Sequence, residues 1–462
     1  MSQPDNVEAH ASASLGATTP RHTHPLTPIA TGARFLPLAL LIGVVTVGQN
    51  VDGSNFLLGL LITVAGVLVI ALLIAGLSWV AWRRLTFWFD DEGDFRVASG
   101  VLTRTERRLQ LSRLQGVDVV EPFIPRIFGL AQVTIEVAGA GDSRAQIQYL
   151  SRADAQALRN SVVARAAGLH PDVGEAPQQA LVTVPSRDLV ISLLLRGSTV
   201  ALVLLTVLIV VGTLVTAGPV GLFWILLGGI PLIAVIAEYF VFYNFTVAKS
   251  ADGLRTRAGL FQVQAQTIPP GRLQAVEFAQ SWLWRRKDWV RVRITVAGIA
   301  SDDDQNQNAG SFRQVLLPVA PYSVALSVVN EILPGVNARN TPLHPVPARA
   351  RWRAPIQHKF LGVGWDDRVF VTDRGRFVRR LAVAPHARTQ SVRVTQGPWQ
   401  RKLDLATMHL DSPAGPAKLT ALYRAADEAR RLADEQNARA QTALKTDPAG
   451  RWMQSGSEQD DE

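Results

Sequence analysis

The chain has 462 residues, a formal net charge of +9 and no cysteine. That length suits about three domains, and the lack of cysteine excludes disulfides, thiolate nucleophiles and cysteine-ligated metals. Hydrophobic residues make up 48% of the chain and are bunched. Membrane spans produce that pattern, and beside them a basic balance reflects cytoplasmic flanks and anionic headgroups rather than nucleic acid.

Residues 1–28 are polar, with Pro20, Arg21, His22, His24 and Pro25, and lack the apolar stretch of a signal peptide. They are expected to be disordered. Residues 29–84 hold two apolar runs, Phe35–Gly48 and Phe56–Trp82, joined by the short polar link 49–55. The first reaches spanning length, roughly 20 residues, when 29–34 joins it and Arg34 snorkels. This is a transmembrane hairpin, with Trp79, Trp82, Arg83 and Arg84 at the membrane interface. A β-patterned domain follows at 85–168. Residues 186–245 hold a second hairpin, whose apolar runs 197–217 and 219–236 meet at Gly218. A second β-patterned domain covers 246–335, a Pro- and Arg-rich linker 336–355, a third domain 356–435, and a tail expected to be disordered 436–462.

Neither hairpin link contains Lys or Arg, whereas the flanks contain many. Both termini and everything between the hairpins are therefore expected in the cytoplasm. Arg196 and Glu238 lie at matching depth, since 217−196 and 238−217 both equal 21. They either pair within a transport path or mark the cytoplasmic ends of two helices.

The three β-patterned domains are one repeated module. Arg113-x-Gln115-x-Val117, Arg272-x-Gln274-x-Val276 and Arg388-x-Gln390-x-Val392 share a register. A glycine lies 13 places before each first arginine (Gly100, Gly259, Gly375), and a second arginine lies 13 places after it (Arg126, Arg285, Arg401). The offsets are 272−113=159 and 388−272=116, and matched positions in fixed register are a strong repeat signal. Within each copy the apolar residues alternate in short runs such as Val117–Val120 and Val133–Val137, broken by Gly, Asp, Ser and Pro, which is β-patterning. A helix closes each copy: one capped by Ser151, one opened by Pro321, and one at about 417–433 after Pro416, with room to run on into Arg439. Short antiparallel strands with one C-terminal helix predict a small β-barrel plugged by that helix.

The modules Ile268-Pro-Pro-Gly-Arg272-Leu-Gln274-Ala-Val276, Gln280-Ser281-Trp-Leu283-Trp-Arg285 and Val292-Arg-Ile294-Thr-Val296-Ala297-Gly298, with Pro125-Arg126-Ile127-Phe128-Gly129-Leu130 in copy one, resemble bacterial pleckstrin-homology-like (PH-like) domain membrane proteins of the YdbT-like type. The resemblance covers roughly residues 25–430. It implies an α+β fold with membrane helices: two transmembrane helical hairpins and three PH-like β-barrel domains, each closed by a C-terminal helix. It also implies a link to envelope stress or antimicrobial-peptide tolerance, and a smaller PH-like membrane protein of the same family as partner. Two departures stand out. Copy three has no hairpin, and copy two carries Trp284-Arg-Arg-Lys-Asp-Trp289 where the family has R-x-F-G-L, which puts the Gly-Leu step in doubt there.

Arg113, Arg126, Arg272, Arg285, Arg286, Lys287, Arg388 and Arg401 are the candidate ligand or surface residues. Guanidinium forks suit phosphate or carboxylate, and the same arginines equally serve to lock loops internally. The glutamines are expected to bond to backbone, and the glycines to turn the chain. The basic, tryptophan-rich stretch 282–289 either dips into anionic lipid or packs its tryptophans inward. Arg349–Arg353 is either a tether on the membrane surface or a solvated linker. Asp302–Asp304 lacks the ligand spacing of a calcium loop. No catalytic motif, metal set or cofactor loop is present. The sequence thus predicts a non-enzymatic inner-membrane scaffold or binding protein, with a small transporter or lipid-handling protein as the alternative.

Overall fold

The structure is a computed structural model. It describes residues 19–33, 56–100, 103–137, 144–166, 179–216, 233–250, 253–268, 271–297, 312–336, 338–413 and 415–446. The chain divides into two compact units, one of residues 1–176 with Phe261–Ala265 and one of Pro177–Leu260 with Gln266–Glu462. The first apolar run, most of the fourth, Ala138–Gly141 and Asp302–Asp304 lie outside the described residues.

In the first unit, strand β1 (Arg21–His22) precedes helix α1 (Thr27–Ala33) and the 29-residue apolar helix α2 (Phe56–Arg84). Strands β2 (Thr86–Phe89), β3 (Phe95–Ser99) and β4 (Thr105–Leu109) then complete a four-stranded sheet ordered β1-β2-β3-β4. The register puts Arg21 opposite Phe87 and His22 opposite Thr86. This corrects the expectation of a disordered head for residues 21–28. The tie is short but specific: Trp82 Nε1 donates to the Thr23 carbonyl at 3.0 Å. Strands β5 (Leu114–Glu121), β6 (Leu130–Val137) and β7 (Arg144–Ser151) form a second sheet, with helix α3 (Phe123–Ile127) between β5 and β6. Helix α4 (Arg152–Ala166) closes the module, its first turn capped by Ser151 Oγ accepting from the Asp154 amide at 3.0 Å. Phe89, Phe95, Val133, Ile135, Ile147 and Leu158 form the dry core.

The second unit repeats this order. Strand β8 (Gln179–Thr183) comes before helices α5 (Ser186–Leu194), α6 (Gly197–Thr216) and α7 (Ile233–Phe242). Strands β9 (Thr246–Ser250) and β10 (Gly253–Ala258) extend it in the order β8-β9-β10. Strand β11 (Val263–Ile268) follows, and its first three residues belong to the first unit, where they run antiparallel to Val119–Glu121 of β5. Strands β12 (Leu273–Ser281), β13 (Trp289–Val296) and β14 (Val315–Pro321) form the next sheet, and helix α8 (Tyr322–Ile332) closes the module. Leu189 and Leu193 of α5, and Phe242 of α7 with Phe245 just after it, lie in this module's core. The hairpin predicted at 186–245 therefore gives both its ends to the folded domain. Ser186–Leu194 and Gly197–Ile209 meet at a bend of 59°.

In the third repeat, strand β15 (Leu343–Pro345) is followed by two 3-10 turns, Ala348–Trp352 and His358–Phe360. Strands β16 (Gly362–Trp365), β17 (Val369–Arg374) and β18 (Val378–Pro385) come next, then β19 (Ser391–Thr395) and helix α9 (Pro398–Lys402). Strands β20 (Leu405–Asp411) and β21 (Thr420–Ala425) lead to helix α10 (Ala426–Thr446). Residues 336–355, predicted to be a linker, thus contain the first strand of the third module. The closing helix begins at Ala426 rather than 417, because Thr420–Ala425 pairs with β20 instead. It also extends to Thr446, into the region expected to be disordered.

One rule organises all three repeats. Among the described residues, the insertion between the first and second strands carries apolar helices in repeats one and two, and a short 3-10 segment in repeat three. The modules are not the closed barrels the patterning suggested. In the second unit one seven-stranded sheet runs β14-β13-β12-β18-β17-β16-β15, with β12 pairing β18 from Val276↔Val383 to Ser281↔Val378. The strand edge that would close a barrel is used to hold the next repeat.

The repeated glycines have a steric reason. Gly100, Gly259 and Gly375 have φ of +119°, +122° and +97°. A Cβ on Gly375 would lie 2.1 Å from the Val378 carbonyl oxygen, and one on Gly100 1.9 Å from that of Thr103. Gly375→Ala is expected to cost about 2 kcal/mol or more, read as a lower thermal unfolding midpoint of the purified protein. An unchanged midpoint would show that the turn relaxes freely.

Candidate functional site

The second positive-φ position explains how copy two departs from the family pattern. Gly129, Asp288 and Asp404 are equivalent, since 129+159=288 and 288+116=404, and have φ of +71°, +50° and +48°. In each repeat this residue's carbonyl accepts the first amide of the closing helix: Arg152 N to Gly129 O, Tyr322 N to Asp288 O and Ala426 N to Asp404 O. Aspartate tolerates the left-handed conformation better than most residues, so the turn survives without glycine. The carboxylates are gripped in turn. Arg339 donates to Asp288 Oδ1 and Oδ2 at 2.6 and 3.0 Å, which, ahead of other causes, holds the Asp288 carboxyl below its ordinary value. Arg349 donates to Asp404 Oδ2 at 2.7 Å. That bond fixes one end of the Arg349–Arg353 stretch as part of the third domain.

The densest basic-aromatic surface lies on the 3-10 helix Trp282–Lys287 after β12. Its tryptophans divide by position. Trp284 is buried, its Nε1 donating to the Ser192 carbonyl at 3.0 Å. Trp289 is buried under Lys287, whose Nζ lies 4.5 Å from the ring centroid. Trp282 is 52% exposed and sits at the foot of α6, where the Gly197 amide donates to Ser281 Oγ at 3.3 Å. Arg285, Arg286 and Lys287 are exposed, and Arg285 Nη2 donates to the Arg376 carbonyl at 2.7 Å. Phe377, 66% exposed, stands beside them, its carbonyl accepting from the Trp282 amide. A cavity of about 460 Å³ opens next to this shelf, with Gln280, Arg285, Lys359, Phe360, Asp373 and Arg379 in its lining. Arg379 is committed to Asp373, at 2.7 and 2.9 Å. The arrangement offers cations and exposed aromatics at the base of an apolar helix.

The repeated arginines do not converge on one site. Arg113 and Arg388 end 3-10 turns and Arg272 immediately precedes β12, while Arg126, Arg285 and Arg401 follow the far ends of β5, β12 and β19. A strand of nine residues such as β12 separates such a pair by about 30 Å. Arg126 Nε lies 3.8 Å from Glu121, and Arg152 Nη2 lies 3.0 Å from the same carboxylate. Burial pushes the Arg272 guanidinium below its ordinary value. Gln274 Nε2 donates to the Arg272 carbonyl at 3.4 Å, the local backbone bond the sequence suggested.

Arg196 Nη1 donates to Glu238 Oε2 at 2.7 Å, and Arg291 Nη2 of β13 lies 2.7 Å from Oε1. The pair read from the sequence is a triad that reaches into the folded domain. At the foot of α2, Arg83 lies 4.9 Å from the Trp79 ring centroid, Trp79 is half exposed, and Arg83 and Arg84 are exposed. Sequence reading missed Glu277, wholly buried between Arg293 and Arg374. A lone carboxylate in the apolar run Ala275–Ala279 was the available signal. It also missed the cluster of Asp90, Glu92 and Asp94 around Arg96 and Arg108, where Asp90 and Asp94 accept at 3.0 and 2.8 Å.

Three copies of a four-plus-three strand module with a closing helix define the class of protein. The sequence matches the Bacterial PH domain family over residues 37–166, 190–336 and 343–440, and the chain belongs to that family. A curated relative, the UPF0699 transmembrane protein YdbT of Bacillus subtilis (strain 168), is 23% identical over 278 residues, 53% of this chain and 55% of the relative. The chain therefore spans about half the length of the curated relative it matches. No solved structure matches.

Proposed function

We propose that the protein is a non-enzymatic, multi-pass scaffold of the inner membrane, which presents three PH-like modules at the cytoplasmic face. The observation that carries this is where the apolar helices enter the fold. They are inserted between the first and second strands of repeats one and two, and α2 ends on Trp79, Trp82, Arg83 and Arg84. Among the described residues one helix, Val64–Arg84, is long and apolar enough to cross a membrane, and the bent pair α5–α6 passes the same test jointly. The side chains on α2 at Leu61, Leu72 and Leu77 are 66%, 70% and 67% exposed, as lipid-facing positions require. The shelf of Trp282, Phe377, Arg285, Arg286 and Lys287 is suited to anionic headgroups, at about 1 kcal/mol per cation. Candidate partners are the bilayer and a smaller PH-like membrane protein of the same family. A role in envelope stress or antimicrobial-peptide tolerance rests on family likeness alone.

The orientation gives the test. A phosphatase fused after Asn50 is expected to be active and one fused after Asn337 inactive. The reverse pattern, or recovery of the protein outside the membrane fraction, would overturn the reading.

The transporter alternative rests on Arg196 and Glu238. Their third partner, Arg291, lies on a domain strand, which favours an anchoring role for the group over a place in a permeation path.

A further inference from the structure

In repeats one and two, the first strand of the second sheet has its outer edge filled by a strand from later in the chain. Ser281↔Val378 to Val276↔Val383 fill that edge of β12. In the first unit, Val263↔Glu121 to Ala265↔Val119 fill that edge of β5. The registers are identical: Val263 opposite Glu121 becomes Arg379 opposite Gln280 on adding 116 and 159. Two further contacts recur. The Phe123 and Phe261 rings meet edge-on at 5.4 Å, and their equivalents, Trp282 and Phe377 (123+159 and 261+116), are joined from amide to carbonyl at 2.9 Å. The second repeated arginine of copy two, Arg285, caps the same turn through the Arg376 carbonyl.

The third repeat has the same strand and turn, and among the described residues no strand pairs with its outer edge. Among the described residues β19 is the edge of its three-stranded sheet, and its residues are exposed or half exposed whereas all of β12 is buried. Trp399, one place after the position that matches Trp282 (282+116=398), is 70% exposed. Arg401, which matches Arg285, is exposed beside it.

We propose that the β19 edge is an acceptor for a fourth PH-like module carried by a different polypeptide, which adds its own β18-type strand and covers Trp399 with an apolar turn. This is strand addition to an open sheet edge, and it rests on the scaffold reading above. Charge argues against a second copy of this chain. The matching strand would be β4, offset by 159+116=275. The internal register then sets Arg107 (382−275) opposite Arg393 and Arg108 (383−275) opposite Val392. The internal junction instead sets Ala382 opposite Glu277 and Val383 opposite Val276. Like charges directly opposite are destabilising. The partner strand is therefore apolar or acidic where it faces Arg393, and it follows a glycine turn with an apolar tip.

The test uses full-length protein in its native membrane, with p-benzoylphenylalanine replacing Trp399 and adducts mapped by mass spectrometry. The expected adduct lies on the turn or following strand of a PH-like module in another polypeptide. Its yield is expected to fall about tenfold in Arg393→Glu/Arg401→Ala, through the lost charge-assisted hydrogen bond and the reversed rim charge, with the unfolding midpoint lowered only slightly, since the pair that Arg393 makes with Asp411 at 3.3 Å is exposed. Adducts confined to phospholipid, to Thr105–Leu109 of a second copy or to a protein without such a module would overturn the proposal. So would the absence of any adduct, or an undiminished yield in the double variant. These failures leave the scaffold reading standing, which falls instead on the fusion topology or on membrane fractionation.

Discussion

Glu277→Ala is expected to be among the most damaging single substitutions in the second unit. The Glu277 carboxylate has 0% exposure and lies between Arg293 of β13 and Arg374 of β17. It sits on the strand that pairs with both repeats, with Arg293 opposite it on one side and Ala382 on the other. Removing it leaves two partly buried guanidinium groups facing each other without their counter-charge. Breaking a buried pair in this way costs on the order of 3–5 kcal/mol, because the orphaned charge stays desolvated. At roughly 2–4 °C per kcal/mol for a large domain, the unfolding midpoint should fall by about 6–20 °C. Hydrogen exchange would show where the damage begins: amides of β18 should lose protection before those of β14, since β12 holds β18 through this site. An unchanged midpoint would mean that water reaches Arg293 and Arg374 readily, and that the carboxylate is not what joins the repeats. Copy one has Asp118 at this position and copy three has Arg393, so a carboxylate stands here in the first two copies, whose edge strands are paired, and is replaced by a cation in the third.

That contrast marks the limit of what could be read from the sequence. The repeat, its glycines and its closing helices were legible because each depends on local chemistry. A φ near +100° admits glycine, and a hydroxyl at Ser151 caps a helix within the next three residues. The β-patterning of Val117–Val120 and Val133–Val137 identified strands for the same reason. The period of two shows which residues a strand turns inward, but not which strand lies beside it. Closed barrels were therefore expected where β12 in fact pairs with β18. The first strands were missed because Arg21–His22 and Leu343–Pro345 are two and three residues long, and because an insertion, long in repeat one and short in repeat three, separates each from its sheet. The paired arginines looked like one surface because they recur 13 places apart. With a strand between them, they sit at opposite ends of it. Asp288 and Asp404 were hidden for the opposite reason: a residue type had changed while its backbone conformation had not.

If Arg196 and Glu238 only marked the ends of two helices, replacing both would be of little consequence for a scaffold. Arg291 alters that expectation. Its side chain is 12% exposed and 2.7 Å from Glu238; its Nε donates to the Pro318 carbonyl at 3.2 Å. Burial pushes the guanidinium below its ordinary value, and Glu238 opposes that shift. Glu238→Ala, alone or with Arg196→Ala, is thus expected to strand a buried cation beneath the helix end, at a cost on the order of 3 kcal/mol or more. The loss should appear as a lower unfolding midpoint and as faster proteolysis of the second unit in membranes. Arg196 is 41% exposed in its side chain, so Arg196→Ala alone should cost roughly 1 kcal/mol or less. The decisive comparison adds Arg291→Met to Arg196→Leu and Glu238→Leu. An apolar replacement of a whole buried charge group is often neutral or stabilising, so this triple variant should recover most of the stability that Glu238→Ala loses. Recovery without loss of biological activity would make the triad an anchor between the apolar helices and the PH-like module. Recovery of stability with activity abolished would assign the charges to transport, and the scaffold reading would fail with them.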